Sequence, residues 1–98
     1  MLVFNFQAKV WLYSGKSAWH FISLPKALSA KIKKLFLGLE RGWGSLPVRV
    51  KIGESEWQTS IFPDKKTKSY LLPLKAGIRK TENIKVADKV KVSIEILV

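Results

Sequence analysis

Strict alternation of apolar and polar residues is the feature that most constrains what this chain can fold into. Every second residue is apolar across residues 2–12, while Asn5 and Lys9 are among the residues between them. Period two over such a length is typical of a strand with one face in a core. The same alternation returns in residues 48–52 and 90–98. These three segments predict a protein that is mostly β.

Shorter segments between turn residues complete the predicted strands. The additional strands are residues 19–24, 57–62 and 70–74, and the turns are residues 14–17, 53–54 and 63–68. Because Pro73 cannot donate to a β-ladder, the strand at 70–74 is expected to be an edge strand or to carry a bulge. Residues 75–81 are expected to form a short helical turn.

One amphipathic helix is predicted after the first two strands. Beyond Pro25, apolar residues recur at intervals of three and four, and lysines fill most positions between them. Proline suits the first turn of a helix, and Gly38 follows the last apolar cluster as a terminating residue would. Six strands and one helix, with no linker and no evident repeat, indicate a single domain over residues 1–98, folded as a small barrel or sandwich.

The net charge is the strongest indication of function. The chain carries a net charge of +11, from 18 Lys and Arg against 7 Asp and Glu. This exceeds the net charge of ~2 to 8 that is sufficient to keep a small domain soluble. Such a surface attracts nucleic acid, another polyanion or a small anionic ligand. The competing interpretation is a solvated lysine coat on a structural module with no ligand of its own.

Missing residue types exclude several classes of function. The chain has no cysteine, which rules out disulfides, iron–sulfur clusters and thiolate zinc sites. His20 is the single histidine, and alone it makes neither a metal site nor a catalytic centre. We therefore expect a non-enzymatic protein with no cofactor and no metal; an enzyme would have to use a lysine- or tyrosine-based mechanism.

The chain also lacks the marks of export or membrane insertion. No apolar stretch approaches the ~18 residues of a membrane span, and residues 1–7 lack the basic start and long apolar run of a signal peptide. We expect a cytoplasmic protein without a membrane partner, either a monomer or a homodimer.

Short motifs along nearly the whole chain resemble a bacterial family catalogued as domain of unknown function nineteen-oh-five. They keep the family's order and spacing. The motifs are Gly15-Lys16, Trp19-His20-Phe21, Leu24-Pro25-Lys26, Gly42-Trp43-Gly44-Ser45, Pro47-Val48, Trp57, Thr59-Ser60, Phe62-Pro63-Asp64-Lys65, Tyr70-Leu71-Leu72-Pro73, Lys75 and Arg79-Lys80.

The resemblance implies a fold more than a function. It implies a small six-stranded double-split β-barrel with one amphipathic helix after the first hairpin, a class shared with swapped-hairpin DNA-binding regulators and antitoxins of the AbrB and MazE type. Fold-level analogy with those regulators carries little functional weight. Where the family has a Gly-Asp turn before the last strand, this chain has Ala87-Asp88.

The loop at residues 41–45 is the first candidate binding element. Trp43 lies between two glycines, whose backbone freedom lets a loop approach a ligand closely. Its ring offers a flat face to a base or a sugar, and Arg41 offers a planar donor to phosphate. The alternative is that Trp43 folds over an open barrel end as a hydrophobic lid.

A second candidate group lies on and after the fourth and fifth strands. If these strands form a hairpin, hydroxyls and amines from both would line one mouth of the barrel, where small ligands commonly bind. The alternative is that these residues serve the strands and bond locally. The residues concerned are Thr59, Ser60, Lys65, Tyr70, Lys75 and Arg79.

Overall fold

A computed structural model describes residues 2–15 and 18–98, so Lys16 and Ser17 of the predicted first turn lie outside the described residues. The strands are β1 (Val3–Leu12), β2 (His20–Ser23), β3 (Leu46–Ile52), β4 (Ser55–Asp64), β5 (Ser69–Leu74) and β6 (Lys89–Ile96), and the helices are α1 (Lys26–Leu35) and α2 (Ala76–Thr81). Among the described residues, neither helix is long and apolar enough to cross a membrane.

The six strands close into a barrel in the order β1-β2-β5-β4-β3-β6, with every neighbouring pair antiparallel. Two long strands make the closure possible, because each one changes partner along its length. β1 pairs with β6 over residues 3–9 and with β2 over residues 10–12. β4 pairs with β3 over residues 55–61 and with β5 over residues 62–64. The predicted mostly-β barrel with a helix after the first hairpin is therefore confirmed.

Alternation along the strands fills the barrel interior with aliphatic side chains. Most inward positions of the strands are apolar, as the period-two pattern predicts. The largest side chains that are less than 2 % exposed are Ile22, Leu24, Ile32, Leu46, Ile61, Leu72, Ile94, Val10, Val48 and Val50. The barrel is thus a packed core.

The two halves of the chain repeat one arrangement, which the sequence analysis missed. β1, β2, α1 and β3 run strand–strand–helix–strand, and β4, β5, α2 and β6 follow the same order. Exchanging the halves leaves the order of strands around the barrel unchanged. Where the halves meet, Ile22 pairs with Leu72 and Val50 pairs with Ile94. A pseudo-twofold axis near these two pairs relates the halves.

Helix α1 packs against the barrel beside β5. Ile32 on its inner side is fully buried in the core. The Ser29 hydroxyl accepts a hydrogen bond from the Tyr70 backbone N–H at 3.0 Å, which ties the helix to the start of β5. On the outer side, the Lys31 ammonium lies 6.0 Å from the centre of the Phe4 ring, within cation–π range.

Prolines mark the places where a strand has one neighbour. The predicted turn at residues 63–68 is too long, because Pro63 and Asp64 continue β4 and pair with β5 after the pairing with β3 has ended. Pro73 pairs with Phe21 of β2, and the pairing of β5 with β4 ends at Leu71. Pro73 therefore occupies a local edge, as predicted, within a closed barrel.

Candidate polyanion-binding groove

A groove of about 480 Å³ lies between α1 and the hairpin formed by β4 and β5. Lysines line it from both sides: Lys33 comes from the helix, and Lys65 and Lys68 come from the hairpin turn. Pro63 and Tyr70 contribute apolar surface. We call this site the lysine groove.

The lysines of the groove carry unpaired positive charge. Within residues 2–15 and 18–98, the salt bridges are made by Arg49, at 3.5 Å to Glu56 and 2.7 Å to Glu95. Lys33, Lys65 and Lys68 thus have no carboxylate oxygen within ion-pair distance. An anionic ligand entering the groove would meet ammonium groups that need not first give up a protein partner.

The one carboxylate in the groove is engaged by the turn that carries the lysines. Asp64 accepts hydrogen bonds from the Thr67 hydroxyl at 2.8 Å and from the Lys66 backbone N–H at 3.3 Å. These bonds hold the hairpin turn in shape, as Asx-type turns do. Asp64 therefore fixes the backbone from which Lys65 and Lys68 project.

Tyr70 forms a neutral part of the groove wall. The residue is 3 % exposed. Burial raises the pKa of the Tyr70 phenol above its ordinary value, and the negative charge of Glu40 raises this pKa further.

Residues 41–45, here called the Trp43 turn, form a tightly bonded loop before β3. The Arg41 N–H donates to the Ser45 carbonyl at 2.8 Å, and the Ser45 hydroxyl donates to the Gly42 carbonyl at 2.8 Å. At the tip, Trp43 is 94 % exposed and has a φ of 64°. The hydrophobic-lid interpretation is therefore wrong, because the ring points into solvent.

The conformation of Trp43 is costly. A bulky residue in the left-handed region is a genuine outlier, with a penalty of roughly 1–2 kcal/mol. Its exposed ring gains almost nothing from burial in return. Strain of this kind tends to occur at functional sites, where the surrounding structure enforces it.

Contact with Pro63 places the Trp43 turn beside the lysine groove. Gly44 has a φ of 73°, and a Cβ atom there would lie 3.0 Å from Pro63 Cγ. Pro63 itself lines the groove. The Trp43 turn and the lysine groove thus adjoin at Pro63.

The structure divides the eight predicted binding residues into separate places. Lys65 and Tyr70 line the lysine groove, with the turn that carries Arg41 and Trp43 next to it. Thr59 pairs with inward-facing Val48, so the adjacent Ser60 points out of the barrel.

Lys75 and Arg79 lie near His20, beside a different groove. The expectation that one barrel mouth collects the hydroxyls and amines of the fourth and fifth strands is wrong. The opposite facing of Thr59 and Ser60 excludes it, and the aliphatic core occupies the barrel interior.

Sequence reasoning missed an exposed aromatic face on the outside of β1 and β2. Trp11 and Phe21 are paired residues on this outer face, and Tyr13 and Trp19 continue it. The sequence signal that could have revealed this face is the presence of apolar residues on both faces of β1. Val10 and Trp11 are successive large apolar residues, although only one of them can face the core.

The comparisons with known proteins identify a family. No curated protein matches the chain. A family model described as a domain of unknown function, DUF1905, matches residues 6–94. This span runs from β1 to β6 and includes the lysine groove, the Trp43 turn and the aromatic face. The chain therefore belongs to the DUF1905 family.

Proposed function

We propose that this domain is a non-enzymatic binding module that holds single-stranded nucleic acid in the lysine groove and on Trp43. The observation that carries the proposal is the state of Trp43, which has a left-handed φ, is 94 % exposed and belongs to a turn that meets the lysine groove at Pro63. A side chain that destabilises the fold without being buried is best explained by a ligand that contacts it.

The chemistry of the region suits an unpaired strand. An exposed indole stacks with the flat face of a base, which is available only when that base is outside a duplex. Lysine ammonium groups contact successive phosphates, and the planar guanidinium of Arg41 offers paired donors to a phosphate oxygen pair. The net charge of +11 draws the polyanion toward the surface at long range.

The volume of the groove favours a second candidate. At about 480 Å³, it falls within the ~300–1,000 Å³ range of small-molecule sites. A small anionic ligand is therefore the alternative occupant. In that case Trp43 would contribute little, because its ring points outward.

Fluorescence anisotropy with labelled oligonucleotides tests the proposal. Single-stranded DNA and RNA should bind more tightly than duplex DNA of the same length, and binding should weaken as salt is raised. The double variant Lys65→Glu/Lys68→Glu should lose at least tenfold in affinity at low salt, since each change replaces an attraction with a repulsion.

A charge-matched control separates the groove from the overall field. The single variants Lys65→Glu and Lys85→Glu change the net charge equally, but Lys85 lies in the exposed turn before β6. The groove variant should therefore have the larger effect on affinity. Equal effects would assign binding to non-specific attraction, and absence of binding at the lowest salt would refute the nucleic-acid proposal.

A further inference from the structure

Four aromatic rings form a continuous surface on the outside of β1 and β2, defined here as the aromatic face. The ring centres of Trp11 and Phe21 are 5.1 Å apart. Trp19 stacks on Phe21 at 5.9 Å with an interplanar angle of 15°, and Tyr13 meets Phe21 edge-on at 6.5 Å. The rings thus share Phe21 as their centre.

The aromatic face has a fixed inner ring, Trp11, and accessible outer rings, Trp19 and Tyr13. Trp19 and Tyr13 are each 54 % exposed. The Trp11 indole N–H donates to the Ser23 hydroxyl at 2.9 Å, which fixes the ring at the base of the face. Among the aromatic contacts of the described residues, Trp19 is stacked on Phe21 alone, and its 54 % exposure leaves ring surface that a base could contact.

Basic side chains border the aromatic face. A second groove, of about 240 Å³, is lined by Trp19, His20 and Lys75 among others. His20 Nδ1 faces the Ala18 carbonyl at 2.9 Å and must donate there. His20 Nε2 is then free to accept from Arg79 Nη1 at 3.4 Å. The histidine thereby holds the guanidinium of Arg79 near the groove that Trp19 and Lys75 line.

The second groove shares one feature with the lysine groove under the pseudo-twofold repeat, a contact between a helix of one half and a strand start of the other. At the lysine groove, Ser29, the fourth residue of α1, contacts Tyr70 near the start of β5. At the second groove, Arg79, the fourth residue of α2, contacts His20 at the start of β2. The lysine groove thus lies between α1 and the β4–β5 hairpin, whereas the second groove lies between the start of β2 and the end of β5, and Arg79 of α2 reaches its His20. Each groove has lysine in its lining and an exposed tryptophan beside it.

We propose that the aromatic face, with Lys75 and Arg79, is a second contact surface for unpaired nucleic acid. A base extends the Trp19–Phe21 stack, and the flanking phosphates contact Lys75 and Arg79. This proposal rests on the proposed function, because it assumes the same class of partner. A second copy of the chain is disfavoured as the occupant, since two molecules of charge +11 repel each other.

Affinity and its salt dependence, measured together, test the assignment. Trp19→Ala should weaken binding of poly-dT and poly-U by roughly tenfold, because base–aromatic stacking is lost, and should leave the slope of log K against log salt unchanged. Trp19→Phe should recover most of the affinity. Lys75→Gln should reduce that slope by about 0.7, the value for one phosphate contact on a single strand.

Leu2→Ala is the matched control. Leu2 is also an exposed apolar residue, 47 % exposed, at the opposite end of β1 from the aromatic face. It should leave both the affinity and the salt slope unchanged. Ultraviolet crosslinking of 5-iodouridine RNA, read by mass spectrometry, should mark Trp19 or Tyr13.

The outcomes separate the two proposals. If wild-type protein binds oligonucleotides and the lysine-groove variants weaken binding, but Trp19→Ala and Lys75→Gln do not, the second surface is refuted and the first stands. If Trp19→Ala weakens binding and the groove variants do not, the second surface alone is supported. A dimer that Trp19→Ala converts to a monomer at unchanged oligonucleotide affinity would make the face a self-interface and refute the proposal.

Discussion

Gly53 lies against the carboxylate of Glu82, so a side chain at residue 53 would have to displace that carboxylate. A Cβ atom at residue 53 would lie 2.9 Å from Glu82 Cδ, and Gly53 also has a φ of 57°. The same carboxylate accepts a hydrogen bond from the Ser55 hydroxyl at 2.6 Å. The turn between β3 and β4 is thereby joined to the end of α2.

Gly53→Ala should lower the free energy of unfolding by about 2–3 kcal/mol, the sum of left-handed strain and a disturbed charged hydrogen bond. Urea denaturation measures the change. In a Glu82→Ala background the same substitution should cost only the strain, about 1–2 kcal/mol.

Gly77→Ala is the control: Gly77 has open space around it within α2, so alanine there should raise stability by up to about 1 kcal/mol. Equal costs of Gly53→Ala in both backgrounds would contradict the close approach.

Two substitutions at Trp43 should separate strain from binding. Trp43→Gly removes both the left-handed penalty and the ring, so it should raise the free energy of unfolding by about 1 kcal/mol and weaken oligonucleotide binding. Trp43→Ala removes the ring but keeps the strain, so it should weaken binding with little change in stability. Thermal unfolding and anisotropy measure the two effects. A loss of stability in Trp43→Ala would mean that the indole packs against the fold after all.

Tyr70 should make stability sensitive to alkaline pH. Burial, and secondarily the charge of Glu40, raises the pKa of Tyr70 in the folded protein, whereas the unfolded chain releases this proton near pH 10. Above that pH the unfolded state loses the proton first, so the contribution of Tyr70 is complete below pH ~10 and is lost as pH rises toward the folded pKa.

Urea midpoints at about pH 9 and about pH 11 measure this linkage. The loss of stability between the two should be smaller in Tyr70→Phe than in the wild type. Tyr13→Phe, which alters an exposed tyrosine, should behave as the wild type does. Identical losses in all three proteins would refute the assignment to Tyr70.

Ala87 occupies a position that favours glycine. Its φ is 75°, and its backbone N–H donates to the Val10 carbonyl at 2.8 Å, which holds the turn before β6 against β1. Ala87→Gly should therefore raise the free energy of unfolding by about 1 kcal/mol, or the melting temperature by roughly 4–8 °C. Ala30→Gly, an exposed change within α1, should lower stability by about 1 kcal/mol. A lower free energy of unfolding in both variants would show that the left-handed conformation of Ala87 has no energetic cost.

Strands β1, β3 and β6 were predictable because apolar and polar residues largely alternate along them. Residues 2–12 predict β1 to within one residue, and the helix after Pro25 is confirmed. The end of β4 was not predictable in the same way. Pro63 and Asp64 are typical turn residues, and they continue the strand only because β5 is their sole neighbour there. That circumstance depends on closure of the barrel, which local sequence does not encode.

The candidate site was predictable in its residue types and not in its grouping. Charge and the Gly-Trp-Gly motif indicated Trp43 and Lys65, and both lie in one region. The direction of the Trp43 ring depends on the conformation of its turn, where Trp43 has a φ of 64°. The aromatic face was missed because period-two analysis assigns one apolar face to a strand, and Trp11 adds a second one.

The pseudo-twofold repeat has a consequence for how the chain folds. In the described residues, four of the six strand pairings join one half to the other, namely β1 with β6, β2 with β5, β3 with β4, and β3 with β6. Each half alone would keep one hairpin, which is marginally stable at best in water. Neither half is then an independent folding unit, and the barrel must assemble in a single cooperative step dominated by contacts distant in sequence. Such topologies fold slowly for their size, so a chain still emerging from the ribosome would gain a stable core only once β6 is available.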